Sequence, residues 1–185
     1  MKRRRMASCR RQDGFTLVEQ ILVGLIVVTL SCVATPALSQ LVKRHRLQTA
    51  QLNLVSALHH ARGLAVTTGR RTMLCPTRDG QRCVDELHWE GGWLIGHYRT
   101  SQTDRIDGKP LFTGSRHDTL TILSTVGRQR VRFQNDGSAN GSNVTFTLCH
   151  RGHTDGALTV VVSSTGRVRS PKTTTDQAST CANAH

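Results

Sequence analysis

An α+β fold is predicted by three observations: one long helical pattern near the N-terminus, a series of short strand patterns after it, and turn signals between those strands. The helix is read from residue 15 to about 68. Between Phe15 and Leu30 only Thr16, Glu19, Gln20 and Thr29 break an apolar run, and such a length suits a membrane helix. Past the basic group Lys43, Arg44 and Arg46, apolar residues recur at helical spacing as Leu47, Leu54, Leu58, Ala61 and Ala65, with Val55 and Leu64 beside them. Gly69 is a natural stop, since a residue free to turn left-handed closes a helix. At 1.5 Å per residue the helix is roughly 80 Å long. The polar face of its second half, Arg44, Arg46, Gln48, Gln51, His59 and Arg62, is expected to be solvated.

Beyond Gly69 the texture changes to short runs rich in Val, Thr, Ile and Phe. Strands are expected at 71–75, 93–98, 120–125, 129–134, 144–149, 158–163 and 167–170. Asn135-Asp136-Gly137, Asn140-Gly141 and Asp155-Gly156 supply turns. No second helical pattern is evident, so the expectation is an antiparallel β domain packed on one amphipathic helix. The chain then divides into a basic leader (1–14), an apolar helix (15–42), its amphipathic continuation (43–69) and a β domain with a C-terminal tail (70–185).

Twenty-five Lys and Arg residues face twelve Asp and Glu, a formal charge of +13. Lys2, Arg3, Arg4, Arg5, Arg10 and Arg11 against Asp13 supply +5 of it and leave +8 for the remainder. A surplus of this size attracts polyanions such as nucleic acid, anionic lipid or acidic polysaccharide. The leader cluster should stay cytoplasmic and the C-terminal bulk should cross. Of six cysteines, Cys75, Cys83, Cys149 and Cys181 follow the apolar run. In an oxidising compartment they form two disulfides, and 75–83 with 149–181 is the simplest of three connectivities. A zinc site drawing on Cys and His competes with that reading, but no CxxC or HxxxH spacing gathers ligands locally.

Gly14-Phe15-Thr16-Leu17-Val18-Glu19, behind a basic leader and ahead of an apolar span, resembles the prepilin motif of type IV pilins and type II secretion pseudopilins. Pro36 falls where such helices often carry a proline. The resemblance implies cleavage by a prepilin peptidase after Gly14, methylation of the new N-terminus at Phe15, and a role for Glu19 in assembly with other pilins or pseudopilins. Farther on, Cys75-Pro76-Thr77-Arg78-Asp79-Gly80-Gln81-Arg82-Cys83, Trp89, Gly92-Trp93-Leu94, Phe146-Thr147-Leu148-Cys149, the run from Val161 to Arg169 and Cys181 resemble the GspH/FimT family of minor pilins and pseudopilins. That family implies a pilin-like fold in a single-pass inner-membrane protein. Its C-terminal domain is periplasmic, and the subunit is incorporated into a pilus or pseudopilus.

No G-x-S-x-G elbow, phosphate-binding glycine loop or HExxH is present, so the sequence points to no enzyme activity, metal or cofactor. The basic residues carry more information. Arg128, Arg130 and Arg132 alternate with Gln129 and Val131, which on a strand would aim all three to one face. Arg167 and Arg169, followed by Lys172, repeat the alternation near the C-terminus. Guanidinium groups so placed suit phosphate, and they equally suit an edge strand kept from pairing by its charge. The FimT resemblance implies DNA capture for natural transformation, with Gly166-Arg167-Val168-Arg169 as the G-R-x-R element. Only Phe133 lies near either arginine run as an aromatic, so contact with the backbone of double-stranded DNA without sequence preference is the expectation. The alternative is a GspH-type pseudopilin with a structural, partner-binding role.

Overall fold

The computed structural model describes residues 16–99, 101, 105–139 and 141–184. The leader with Gly14 and Phe15, and Asn140 of the expected turn, lie outside these. The chain divides into two compact units, Met1–Val42 and Lys43–His185, and helix α1 (Leu17–Thr68) contributes to both. In the first unit, Thr16 Oγ1 accepts from the Glu19 N–H at 3.4 Å and caps the helix start. Leu17, Ile21, Leu25, Val28 and other large apolar side chains there are exposed. Side chains at 33–37 are not described, and no helix among the described residues is long and apolar enough to cross a membrane.

In the second unit α1 buries one stripe: Leu47, Ala50, Leu54, Ala57, Leu58, Ala61 and Ala65. The 3–4 spacing puts them on one face, and Gly69, at φ 62°, ends the helix as expected. Two residues of the opposite, supposedly solvated face are instead bonded to the domain. Gln51 Nε2 donates to the Thr159 carbonyl at 3.2 Å and Arg62 Nε to the Gly137 carbonyl at 3.0 Å. Both lie at the border of the buried stripe, where a long side chain reaches backbone that sequence periodicity cannot foresee.

The strands are β1 (Thr72–Pro76), β2 (Trp93–His97), β3 (Phe112–Thr113), β4 (Leu120–Ser124), β5 (Val131–Phe133), β6 (Val144–His150), β7 (Leu158–Val162) and β8 (Val168–Arg169). They build two four-stranded sheets, in the orders β3-β2-β1-β5 and β4-β6-β7-β8. Every pairing is antiparallel. One face of each sheet enters a common core with α1: Leu74, Trp93, Ile95, Val131 and Phe133 from the first, and Ile122, Phe146, Leu148, Val160 and Val162 among those from the second. Trp89 meets Phe146 edge to face at 4.9 Å between centroids, an arrangement that adds about 1 kcal/mol to the area it buries.

The expectation of a single helix fails. Helix α2 (Thr175–Asn183) follows β8, started by a capping box in which Thr174 accepts from the Gln177 N–H and Gln177 accepts from the Thr174 N–H. It lies against β6 and β4 and buries only Ala178, Cys181 and Ala182. Nine mostly polar residues carry too little apolar periodicity to stand out, although Thr174-Thr175-Asp176-Gln177 is a legible capping signature. The second sheet's other face explains the composition: Thr121, Thr147 and Thr159 are buried there. Thr159 Oγ1 donates to Thr173 Oγ1 at 2.9 Å, which in turn donates to the Ala157 carbonyl at 2.8 Å. Strand β3 was also not foreseen, being two residues long.

Both disulfides form in the simplest pairing, Cys75–Cys83 and Cys149–Cys181. The first closes a loop in which Asp79 accepts from the backbone N–H groups of Gln81 and Arg82, at 2.8 and 3.0 Å. Those donors hold its carboxyl below the usual range. The second disulfide fastens α2 to β6, and through it the segment between β8 and α2.

Candidate nucleic-acid interface

Of the C-terminal basic residues, Arg169 stands on β8, the edge strand of the second sheet, with Arg167 just before the strand and Lys172 after it. Val168 pairs with Val162 and packs on the core, while Arg169 pairs with Val161 on the opposite face. Alternation therefore turns Arg167 and Arg169 outward together, and both are exposed, as is Lys172. Among the described residues none of the three has an ion-pair partner, whereas Arg78, Arg99 and Arg116 meet Glu86, Asp107 and Asp118. A groove of about 390 Å³ runs beside Arg169, lined by Val161, Ser170 and Pro171.

The turn before β8 explains why the element begins with glycine. Gly166 adopts φ 76°, its N–H donates to the Ser163 carbonyl at 2.8 Å, and the Ser163 N–H donates to the Arg167 carbonyl at 3.0 Å. A Cβ on Gly166 would overlap the carbonyl oxygen of Gly137. That carbonyl is the one held by Arg62, and the Ala139 N–H donates to the Ser164 carbonyl at 2.9 Å. Gly137 itself, at φ 80°, follows Asp136, whose carboxylate accepts from the Ser138 N–H at 2.8 Å and is held below its usual pKa by that bond. Helix, loop and turn are locked at one point, and the lock sets where Arg167 emerges. Gly166→Ala is expected to lower the unfolding free energy by about 2 kcal/mol or more, because left-handed strain of ~1–2 kcal/mol adds to displaced backbone. Gly156, at φ 72° with open space around it, should show the strain alone when replaced by Ala. Urea unfolding of the two variants checks this, and equal losses would refute it.

The expected stripe of Arg128, Arg130 and Arg132 does not form. Strand β5 starts at Val131, because Gly127, at φ 76°, and the Arg128 N–H bond to the Thr125 carbonyl place Arg128 in a turn. Its Nη1 donates to the Gly141 carbonyl at 2.7 Å. Arg130 is ion-paired with Asp85, and Arg132 is half-buried. Asp85 as a partner was not foreseen; nothing in its local sequence marks it, since the loop that carries it reaches β5 only through the fold. Arg99, just past β2, has its Nε donating to Asp107 at 3.0 Å, an acid contributed from farther along the chain.

A family model described as Type II transport protein GspH matches residues 50–166. The chain belongs to the GspH family. Among solved structures it is similar to the type IV minor pilin FimU of Pseudomonas aeruginosa strain PAO1 in two crystal forms. One matches with a TM-score of 0.58 and 26% identity, covering 70% of this chain and 91% of that one. The other matches with a TM-score of 0.55 and 26% identity, covering 68% and 93%. No curated protein sequence matches. Family and fold together mark a type IV minor pilin or GspH-like pseudopilin, a class of structural proteins that associate with other pilins. The GspH match ends at Gly166, so Arg167, Arg169, Lys172 and α2 lie beyond it.

Proposed function

We propose that this GspH-family chain is a minor subunit of a type IV pilus that aids filament assembly and binds double-stranded DNA for uptake. The observation that carries the DNA reading is the trio Arg167, Arg169 and Lys172: exposed, without ion-pair partners among the described residues, and held on a tethered edge. Three such cations suit phosphate oxygens on a duplex. No aromatic side chain stands among them, which favours backbone contact without sequence preference. The direct experiment is a gel shift of a 30-bp duplex by the full chain in neutral detergent. Binding of unrelated duplexes with equal affinity is expected, and no shift at low salt would refute the reading. The second reading, a GspH-type pseudopilin of protein secretion, is favoured by the description of the matching family. It assigns the same cations to a protein partner or to protection of the edge.

On the assembly side, the precursor sits in the inner membrane through residues 15–42, is cut after Gly14 by a prepilin peptidase and is methylated at Phe15. The exposed apolar side chains of α1 between Leu17 and Leu30, and Leu38, Leu41 and Val42 after them, support this part. Cleavage creates an α-amino group with an ordinary pKa of about 8, and Glu19 is the acid that meets it, from its own chain or a neighbour. A carboxylate among apolar side chains is costly unless paired. Glu19→Ala should leave the chain in membranes yet deplete it from sheared pili, as read by immunoblot of both fractions. Undiminished recovery in the pili would contradict the pairing.

A further inference from the structure

We propose that the helical turn Lys43-Arg44-His45-Arg46 is a cationic collar that binds the headgroups of anionic phospholipids, an inference that rests on the reading of residues 15–42 as a membrane anchor. The turn follows Val42 directly in the chain, and Leu38, Leu41 and Val42 before it are exposed apolar side chains. All four residues of the turn are exposed. Among the described residues Lys43, Arg44 and Arg46 have no ion-pair partner, and α1 carries no acid after Glu19. Nothing on the helix therefore offsets the three charges. The domain fixes where they stand. His150 Nε2 donates to the Lys43 carbonyl at 3.1 Å, and the buried stripe of α1 begins immediately after the turn, at Leu47. Along the chain, the collar separates the exposed apolar run from the first core residue.

Arrangement and charge select the ligand. Successive helical residues are about 100° apart, so four in a row surround the axis within about 5 Å of its length. A duplex, or the face of a neighbouring helix, meets a helix from one side and engages only part of such a ring. A layer of headgroups encloses the helix and meets all of it, and the long Lys and Arg stems can lie along apolar surface while their charged ends reach phosphate. The turn that follows His150, residues 151–157, adds exposed Arg151 and His153 against one acid, Asp155, and so does not neutralise the collar. A subunit entering a filament gives up these headgroups together with its other lipid contacts, so anionic lipid favours the membrane-held subunit.

Native mass spectrometry of the full chain in neutral detergent, supplied with equal amounts of phosphatidylcholine and phosphatidylglycerol, tests this. Each Lys or Arg beside an anionic surface strengthens the attraction about fivefold, so the chain should retain phosphatidylglycerol in about tenfold excess or more. Lys43→Gln with Arg44→Gln and Arg46→Gln should abolish the preference. Lys43→Arg with Arg44→Lys and Arg46→Lys should keep it, because headgroups ask for charge and not for a planar fork. Arg167→Ala with Arg169→Ala should keep it too, which separates the collar from DNA binding at β8. Flotation separates it from the anchor: the wild-type chain and the triple Gln variant should both float with vesicles of phosphatidylcholine alone. Flotation only with vesicles that contain phosphatidylglycerol would refute the anchor and support the collar. Equal retention of the two lipids by a chain that floats, or a preference untouched by the triple Gln variant, would overturn the collar. So would displacement of the retained phosphatidylglycerol by duplex DNA, which would assign these cations to nucleic acid.

Discussion

Replacing Cys149 and Cys181 together by Ser is expected to lower the unfolding free energy of the β domain by about 3–4 kcal/mol. The bridge spans 32 residues, and loop-closure entropy for that span, on the chain-entropy account, is of this size. The Cys75–Cys83 bridge spans 8 and should contribute about 2.5 kcal/mol on the same footing. The later bridge matters more for a second reason. It fastens α2 over Thr121, Thr147 and Thr159, whose buried hydroxyls suit a helix above them and not open apolar contact. With the bridge gone, α2 keeps its capping box, three small buried side chains and two hydrogen bonds to the domain, from Thr159 Oγ1 to Gln177 Oε1 and from the Gly152 N–H to the Ala182 carbonyl, and the segment through Lys172 loosens. Urea unfolding should show the stability loss, and limited trypsin digestion should show faster cleavage after Lys172. A loss below about 1 kcal/mol would mean that α2 is held by packing alone.

Arg167→Ala with Arg169→Ala is expected to weaken duplex DNA binding about 30- to 150-fold while leaving the fold intact. Each exposed guanidinium–phosphate contact is worth about 1–1.5 kcal/mol, between an exposed ion pair and a sheltered charged hydrogen bond, and two such losses give that factor. Neither side chain touches the core, which Val168 alone of this strand reaches, so the melting temperature should hold. Replacing both by Lys keeps the charge but removes the planar fork, and should cost less than Ala. If the arginines serve only to guard the edge of the second sheet, the Ala variant should bind DNA as before and self-associate more readily.

Much of this was legible in the sequence for identifiable reasons. The stripe Leu47, Leu54, Leu58, Ala61 and Ala65 declared α1, because a helix against a core must bury one face. The short Val- and Thr-rich runs declared β4, β6 and β7 for the same reason at period two. Pairing of the cysteines followed from proximity in the chain. What escaped depends on contacts distant in sequence. The polar α2 is placed by Cys181 and the threonine face beneath it, Arg130 is held by Asp85, and Gly166 is dictated by the carbonyl of Gly137, itself gripped by Arg62. At the two arginine runs the same alternating pattern had opposite outcomes. On β8 it gave two outward cations, while before β5 the turn at Gly127 broke it and folded Arg128 and Arg130 onto internal partners.

The central claim is that the cations of the β8 edge bind DNA through its phosphates. The salt dependence of duplex affinity tests it most directly, since each neutralised phosphate contributes about −0.9 to the slope of log K against log salt. Three contacts from Arg167, Arg169 and Lys172 predict a slope near −3 for the wild-type chain, and the double Ala variant should retain about −1. A slope near zero, or one unchanged by removing both arginines, would contradict it.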